Sequence, residues 1–516
     1  MSEDKDSEAS ARDEAASRGK ESEGDRKLRQ AVEALLARAP AVTLGTVQTA
    51  ASTLGYEARV EFLPVMAEGF DGALAEPQAA VMATSYVYTG EGIGTRPVCF
   101  AFNGGPGSAS VWLHLGALGP KRVVVPDDAS PARGPGVIVD NPLTWLAHFD
   151  LVFIDPPHTG WSICASEAAR KRMLSVDGDV AALGEVVRAW LTRHGRWSSP
   201  VFVAGESYGT TRAAALAERL QDVGVPLAGL VLVSCAMDLQ TLVFAPANEL
   251  PYALFLPAFA QVSQYHGLLK GTLGASAQAA RSAAEAFVEE EYLAALHLGQ
   301  RLSGARRTQV ARRVAQLTGL SPALVEALNL RVSDRSYFLE ALRERGQVVG
   351  RLEARSVGPM GASRSHDWEF DPGIEAVAPA YTSAALSYFG QTLGLSLPAR
   401  FELISEATHK AWNWNRGQAQ GNAYASTTPD LARALRRNAH LRVFVASGRY
   451  DLGTPYSASD WSLAHLDIPP EVAARVEHHY YDAGHMMYTR HEDLAKLEAD
   501  LSAWLGRGSL KCTSGS

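Results

Sequence analysis

The sequence predicts an α/β fold, with a mostly parallel central sheet flanked by helices and interrupted by a helical insertion. Three observations carry this. Five short, continuous apolar runs recur along the chain, as in strands buried on both faces. Helical patterns stand between several of them, the strand–helix alternation of a parallel sheet. From about residue 240 to 394 the strand texture disappears, leaving Ala-, Arg-, Glu- and Leu-rich sequence too long to be a loop.

Taken in order, residues 1–26 come first. They hold nine acids and five bases and no Val, Ile, Leu, Phe, Trp or Tyr. Such a segment cannot offset its ordering entropy by burial, so a disordered acidic tail is expected. It has no apolar stretch of the kind a secretory signal needs. Residues 28–37 place Val32, Leu35 and Leu36 at helical spacing, which predicts a short amphipathic helix. Residues 56–62 alternate, and 81–88 are rich in β-branched and aromatic side chains, so antiparallel strands with one wet face are expected. The buried strands are expected at 98–102, 151–154, 201–204, 230–233 and 443–446. Helices are expected at 180–194, 210–221 and 492–505, and within the insertion over 275–316 and 322–345. The chain thus divides into a core built from 45–240 and 395–508, with 241–394 as a helical cap.

Composition bounds the function. With 47% apolar and 20% charged residues over 516 positions, a large core is available and global disorder is excluded. The net charge of −8 carries no basic surplus for nucleic acid, and no stretch reaches the ~18 apolar residues of a membrane span. Four cysteines (Cys99, Cys164, Cys235, Cys512) are too few for a disulfide scaffold. Free thiols in a reducing, cytoplasmic setting are expected. No metal-ligand spacing occurs, and neither a metal nor an organic cofactor is expected. The sequence carries no signal for an oligomeric state.

The strongest chemical signal is Gly205-Glu206-Ser207-Tyr208-Gly209. It matches G-x-S-x-G between a buried strand and a helix, the setting of a nucleophile elbow. Glycines on either side let the turn close, and the serine stands at a helix N-terminus where negative charge is stabilised. A serine nucleophile needs a base, and the base an orienter. Asp451 follows the strand 443–446, and His485 sits in a glycine-preceded loop before the last helix. The order Ser…Asp…His is that of α/β-hydrolases. His478 and His479 are rival bases, but fall inside a strand pattern; Asp482 and Asp238 are rival acids. Asn103-Gly104-Gly105-Pro106-Gly107 directly follows the strand 98–102, where glycines allow backbone N–H groups to approach a developing oxyanion. Trp412 and Trp414 form an aromatic pair read as core or pocket wall, and Trp112 and His114 are further candidates for the pocket lining.

These stretches resemble the serine carboxypeptidases, particularly their bacterial branch. The matching segments are FNGGPGSASVWLHLGALGP from Phe102, FIDPPHTGWS from Phe153, VFVAGESYG from Val201, VFVASGRYDLGTPY from Val443 and YYDAGHMMY from Tyr480. The resemblance implies an α/β-hydrolase fold and a Ser-His-Asp triad of Ser207, His485 and Asp451. It places Gly105 and Tyr208 at the oxyanion hole, and Asn103, Gly104 and Glu206 where a substrate's terminal carboxylate binds. The implied activity is removal of C-terminal residues from peptides. Independently, an acid beside a nucleophile repels an anionic substrate unless a proton is shared between the carboxyls, which suits Glu206 to that role. Four positions depart from the eukaryotic pattern. Ala101 stands for a Trp and Ala117 for a Glu that help hold the carboxylate, Ser108 for a disulfide-forming Cys, and His158 for a glycine. A peptide or small acyl compound is the expected substrate. An esterase or acyltransferase using the same triad, and a catalytically silent binding protein, are the alternatives.

Overall fold

The five apolar runs are neighbours in one sheet. The computed structural model describes residues 22–66, 76–92, 94–363, 367–416 and 424–508, and its main sheet has ten strands. β1 (Ala41–Gln48), β2 (Thr53–Val65) and β3 (Ala79–Tyr88) form an antiparallel edge. β4 (Val98–Phe102), β5 (Asp150–Ile154), β6 (Val201–Glu206), β7 (Leu227–Val233), β8 (Arg442–Gly448) and β9 (Val476–Tyr481) are mutually parallel. The spatial order is β1-β2-β3-β5-β4-β6-β7-β8-β9, with Ile163–Cys164 paired to β3. After β4 the chain steps outward to β5, then returns to lay β6 on the other side of β4. That reversal is the switch point at which open α/β sheets bind ligands, at the carboxyl ends of the strands.

The strands are apolar throughout because helices cover both faces. Val98, Phe100 and Phe102 of β4 point into one core, Cys99 and Ala101 into the other, and β6, β7 and β8 alternate in the same way. One face is closed by α2 (Val176–Arg193) and α3 (Tyr208–Asp222), the other by α8 (His491–Gly508). Cys99, Cys164 and Cys235 are buried free thiols, and Cys512 lies outside the described residues. Among the described residues no helix is long and apolar enough to cross a membrane.

Two boundaries differ from expectation. α1 spans Glu23–Leu36, so residues 23–26 are a helical first turn and not part of a tail; residues 1–21 lie outside the described residues. The Ser22 side chain caps the helix by accepting from Asp25 N (2.9 Å). Glu23 and Asp25 suit the positive end of its dipole, so acids that look like tail composition favour a helix here. The segment 241–394 is also not uniform. α4 (Leu250–Tyr265), α5 (Ala277–Phe287) and α6 (Gly304–Thr318) enclose a core of their own around Phe255, Phe259 and Val314. After a small hairpin (Gln347–Val349 with Val357–Pro359), α7 (Ala378–Ser387) and the turn beyond it insert Tyr381, Tyr388 and Phe389 into the main core. Those aromatic side chains tie the last part of the segment to the sheet.

Candidate active site

Ser207 occupies the single residue between β6 and α3, with φ 60° and ψ −130°. A non-glycine residue in this region is strained by about 1–3 kcal/mol and persists only where its surroundings hold it. Here Ser207 N donates to Val233 O (2.9 Å), and Gly205 and Gly209 permit the tight turn. A Cβ on Gly205 would lie 2.2 Å from Gly209 O. Behind the turn, Arg212 and Asp179 form a fully buried ion pair (2.7 Å), and Arg212 also donates to Asn103 O (2.6 Å). The elbow helix is thereby fastened to the loop after β4.

That loop needs its glycines for a similar reason. A Cβ on Gly104 would sit 2.4 Å from both Tyr208 N and Gly209 N, and Gly105 has φ 101°. The loop therefore lies directly on the elbow. Neither the Gly105 nor the Tyr208 amide donates a hydrogen bond to another group among the described residues, and both residues line the cavity at Ser207. They are two free N–H groups beside one hydroxyl.

Asp451 lies three residues beyond β8 and His485 four beyond β9. His485 Nδ1 and Asp451 Oδ2 are 2.7 Å apart. Asp451 is fully buried and also accepts from Gly453 N (2.7 Å), Thr454 N (3.0 Å) and Thr454 Oγ1 (2.7 Å). Burial pulls the imidazole pKa down, but the Asp451 charge and hydrogen bond outweigh it and hold His485 above 6.5. Burial works against the Asp451 charge as well, yet His485 and Thr454 keep its carboxyl below the ordinary value. The Ser207 hydroxyl makes no hydrogen bond among the described residues.

Glu206 is 2% exposed. Tyr488 Oη donates to its Oε2 (2.7 Å), and Asn103 hydrogen-bonds it as well. Burial raises its pKa to about 7, against the opposing pull of His485, Tyr488 and Asn103. Asn103 is fixed in turn by accepting from Leu113 N (3.0 Å).

The rival residues lie elsewhere. His478 is held in β9 between Asp460 and Ser447 Oγ (both 2.8 Å), and His479 stacks on Phe444. Asp238 caps a short turn by accepting from Gln240 N, and Asp482 is exposed. Trp112 and His114 do not line the cavity. Trp112 donates to Ser108 Oγ (2.9 Å), and His114 bonds Tyr86 Oη (2.6 Å) inside the core, where burial lowers its pKa to about 3. Trp412 packs edge-on against Tyr208 at 5.1 Å, and Trp414, at 5.6 Å, reaches the cavity wall.

Sequence reasoning missed several participants. Tyr488 and Thr454 stand inside the quoted motif stretches and could have been found there. Arg351, Leu352 and Glu353 follow the small hairpin's first strand, and no sequence signal marks them. Leu352 O accepts from His485 N (2.6 Å), Glu353 Oε2 accepts from Gly484 N (2.9 Å), and Arg351 O accepts from Leu452 N (2.9 Å). The strap they form is held by Asp371, whose carboxylate accepts from Arg351 N (2.8 Å) and Leu352 N (3.1 Å). The cavity at Ser207 measures about 410 Å³. A larger groove of about 900 Å³ between α1 and residues 397–408 is lined by none of the candidate site residues.

The sequence model of the serine carboxypeptidase family matches residues 86–225, the stretch that contains the glycine loop, Glu206, Ser207 and Tyr208. A prohormone-processing carboxypeptidase from Saccharomyces cerevisiae has a similar structure, with a TM-score of 0.54 at 14% identity over 88% of this chain and 92% of that one. A proline iminopeptidase from Mycobacterium smegmatis aligns with a TM-score of 0.34 at 13% identity, covering 90% of this chain and 98% of that one. An acetylester hydrolase from Corynebacterium glutamicum aligns with a TM-score of 0.34 at 12% identity, covering 91% and 96%. No curated protein sequence matches the chain. The fold is that of an α/β-hydrolase, and the family match supports a serine hydrolase.

Proposed function

We propose that this protein is a serine-type carboxypeptidase. The observation that carries this reading is Glu206, a buried carboxyl adjoining Ser207, raised to about 7 and hydrogen-bonded by Tyr488 and Asn103. A protonated Glu206 offers a hydrogen bond to a peptide's terminal carboxylate, where an ionised one would repel it. That gives the site a reason to prefer a free C-terminus.

In this reading Ser207 attacks the carbonyl of the last peptide bond after its side chain rotates toward His485, a closure that substrate binding commonly completes. His485 takes the serine proton and passes it to the leaving amine. Asp451 holds the tautomer with Nδ1 protonated and stabilises the imidazolium. The Gly105 and Tyr208 amides receive the oxyanion. His485 then activates water against the acyl-enzyme.

The test is mass spectrometry of a peptide pool containing free-acid and C-terminally amidated members. Stepwise shortening of the acids from the C-terminus is expected, with the amides spared. Ser207→Ala should abolish turnover and labelling by a fluorophosphonate, a loss of about 10⁶-fold in comparable triads. Labelling at a different serine would overturn the nucleophile. Ala101 and Ala117 favour a second reading, because they leave the carboxylate site with fewer side chains than the eukaryotic pattern. Turnover of esters with acceptor-dependent products and no peptide shortening would establish an esterase or acyltransferase instead.

A further inference from the structure

The cavity at Ser207 contains a cation that the reaction just described does not use. Arg351 lines it, half-buried, and its guanidinium lies over Gly453, two residues past Asp451. A Cβ on Gly453 would fall 3.4 Å from Arg351 Cζ. Among the described residues no carboxylate lies within ion-pairing distance of this guanidinium. Other partly buried arginines of the same insertion are paired: Arg331 with Glu249 (2.8 Å), Arg343 with Glu340 (2.8 Å) and Arg355 with Glu353 (2.6 Å). Asp334 and Asp371 act on this guanidinium only at longer range, so its N–H donors stay available to an anionic ligand.

The backbone that carries it is held on both sides. Arg351 N is held by Asp371 and Arg351 O by Leu452 N, while the next residue accepts from His485 N. The guanidinium is therefore positioned on the same backbone that positions the base. Glu206 and Asn103 do not line this cavity. A peptide whose terminal carboxylate reaches Glu206 consequently directs its other side, the acyl portion, into the space lined by Arg351. Two other ionisable groups share the wall, Asp334 and His409. Asp334 accepts from Arg335 N (2.7 Å), and burial raises its pKa while Arg351 opposes the rise.

We propose that Arg351 selects substrates carrying a carboxylate on the acyl side of the scissile bond, such as peptides with Asp or Glu as the penultimate residue. The proposal rests on the carboxypeptidase reading for its peptide form only; an anionic acyl ester engages the same guanidinium.

The experiment therefore uses two substrate sets. The first is acetyl-Glu-Leu, acetyl-Gln-Leu and acetyl-Lys-Leu; the second is the p-nitrophenyl hemiester of glutarate and the neutral p-nitrophenyl pentanoate. The quantity read is the kcat/KM ratio of anionic to neutral substrate. The expected ratio in the wild type is about 10 to 100, the range of a charge-assisted hydrogen bond. It should fall to about one in Arg351→Gln and below one in Arg351→Glu. Each ratio is taken within one preparation, so a loss of folded protein cancels. A wild-type ratio near one, a preference for the Lys peptide, or a ratio unchanged in Arg351→Gln would overturn the proposal. If the ester ratio behaves as expected while no peptide is shortened, anion selection stands and the peptidase reading falls. Cleavage of all three peptides at equal rates has the opposite meaning.

Discussion

The backbone amide of His485 donates a 2.6 Å hydrogen bond to the carbonyl of Leu352, a residue of the inserted segment. The candidate base is therefore not positioned by the sheet alone. Arg351, Leu352 and Glu353 contact both the Asp451 loop and the His485 loop, so the insertion fixes the distance between acid and base.

Among the described residues, Glu353 contributes the one side-chain hydrogen bond from that strap to the His485 loop. It accepts from Gly484 N and pairs with Arg355. Glu353→Ala leaves a buried amide without an acceptor, which costs about 1–3 kcal/mol. We expect kcat to fall at least tenfold, with KM little changed and the fluorophosphonate labelling rate falling in step with kcat. Glu353→Gln keeps an acceptor oxygen and should recover much of both. Equal activity in Glu353→Ala and wild type would mean that the loop holds itself.

Gly104→Ala addresses the glycine loop. Its Cβ would fall 2.4 Å from Tyr208 N and Gly209 N, so the loop must lift off the elbow. The Gly105 amide would then leave the reacting oxygen. Loss of an oxyanion donor costs about 10²–10³ in kcat. The measurement is kcat on a small neutral ester, for which no carboxylate contact contributes. Activity within a few-fold of wild type would remove Gly105 from the oxyanion role.

Stability should also report the Glu206 proton. Burial raises the folded-state pKa from 4.5 to about 7, so the folded protein binds this proton more tightly than the unfolded chain does. The resulting stability is fully present below about pH 4.5 and is lost as pH rises through about 7. Glu206→Gln removes the group. Relative to wild type, it should gain about 3 kcal/mol between pH 4.5 and pH 8 in urea unfolding. Parallel stability curves across that range would show that Glu206 titrates normally.

Much of this was legible in the sequence. The parallel strands announced themselves because both faces are covered, which makes each an unbroken apolar run. The order Ser207, Asp451, His485, the turn at Ser207 and the glycine loop were legible because each sits next to a strand end, where the backbone geometry demands particular residues. β1 was not, because its residues alternate between exposed and half-buried, with only Val47 buried, at the sheet edge. Trp112 and His114 looked like pocket residues because they follow the glycine loop; the helical turn they occupy directs them into the core instead. The strap at 351–353 lies about 100 residues from Asp451 in sequence, and its contacts are mainly backbone hydrogen bonds, which leave no signature in residue type.

The central claim is that a proton on Glu206 admits a peptide carboxylate while a neutral His485 acts as base. The direct measurement is kcat/KM against pH for a free-acid peptide and for its C-terminal amide, in wild type and in Glu206→Gln. His485 is held above 6.5, so both substrates should lose activity as pH falls below the imidazole pKa. Glu206 titrates near 7, so the free-acid peptide alone should also lose activity above that pH, through a rising KM, by about tenfold per pH unit once the proton is gone. In Glu206→Gln this alkaline limb should vanish while the acid limb remains. An identical pH dependence for acid and amide in the wild type would contradict the account.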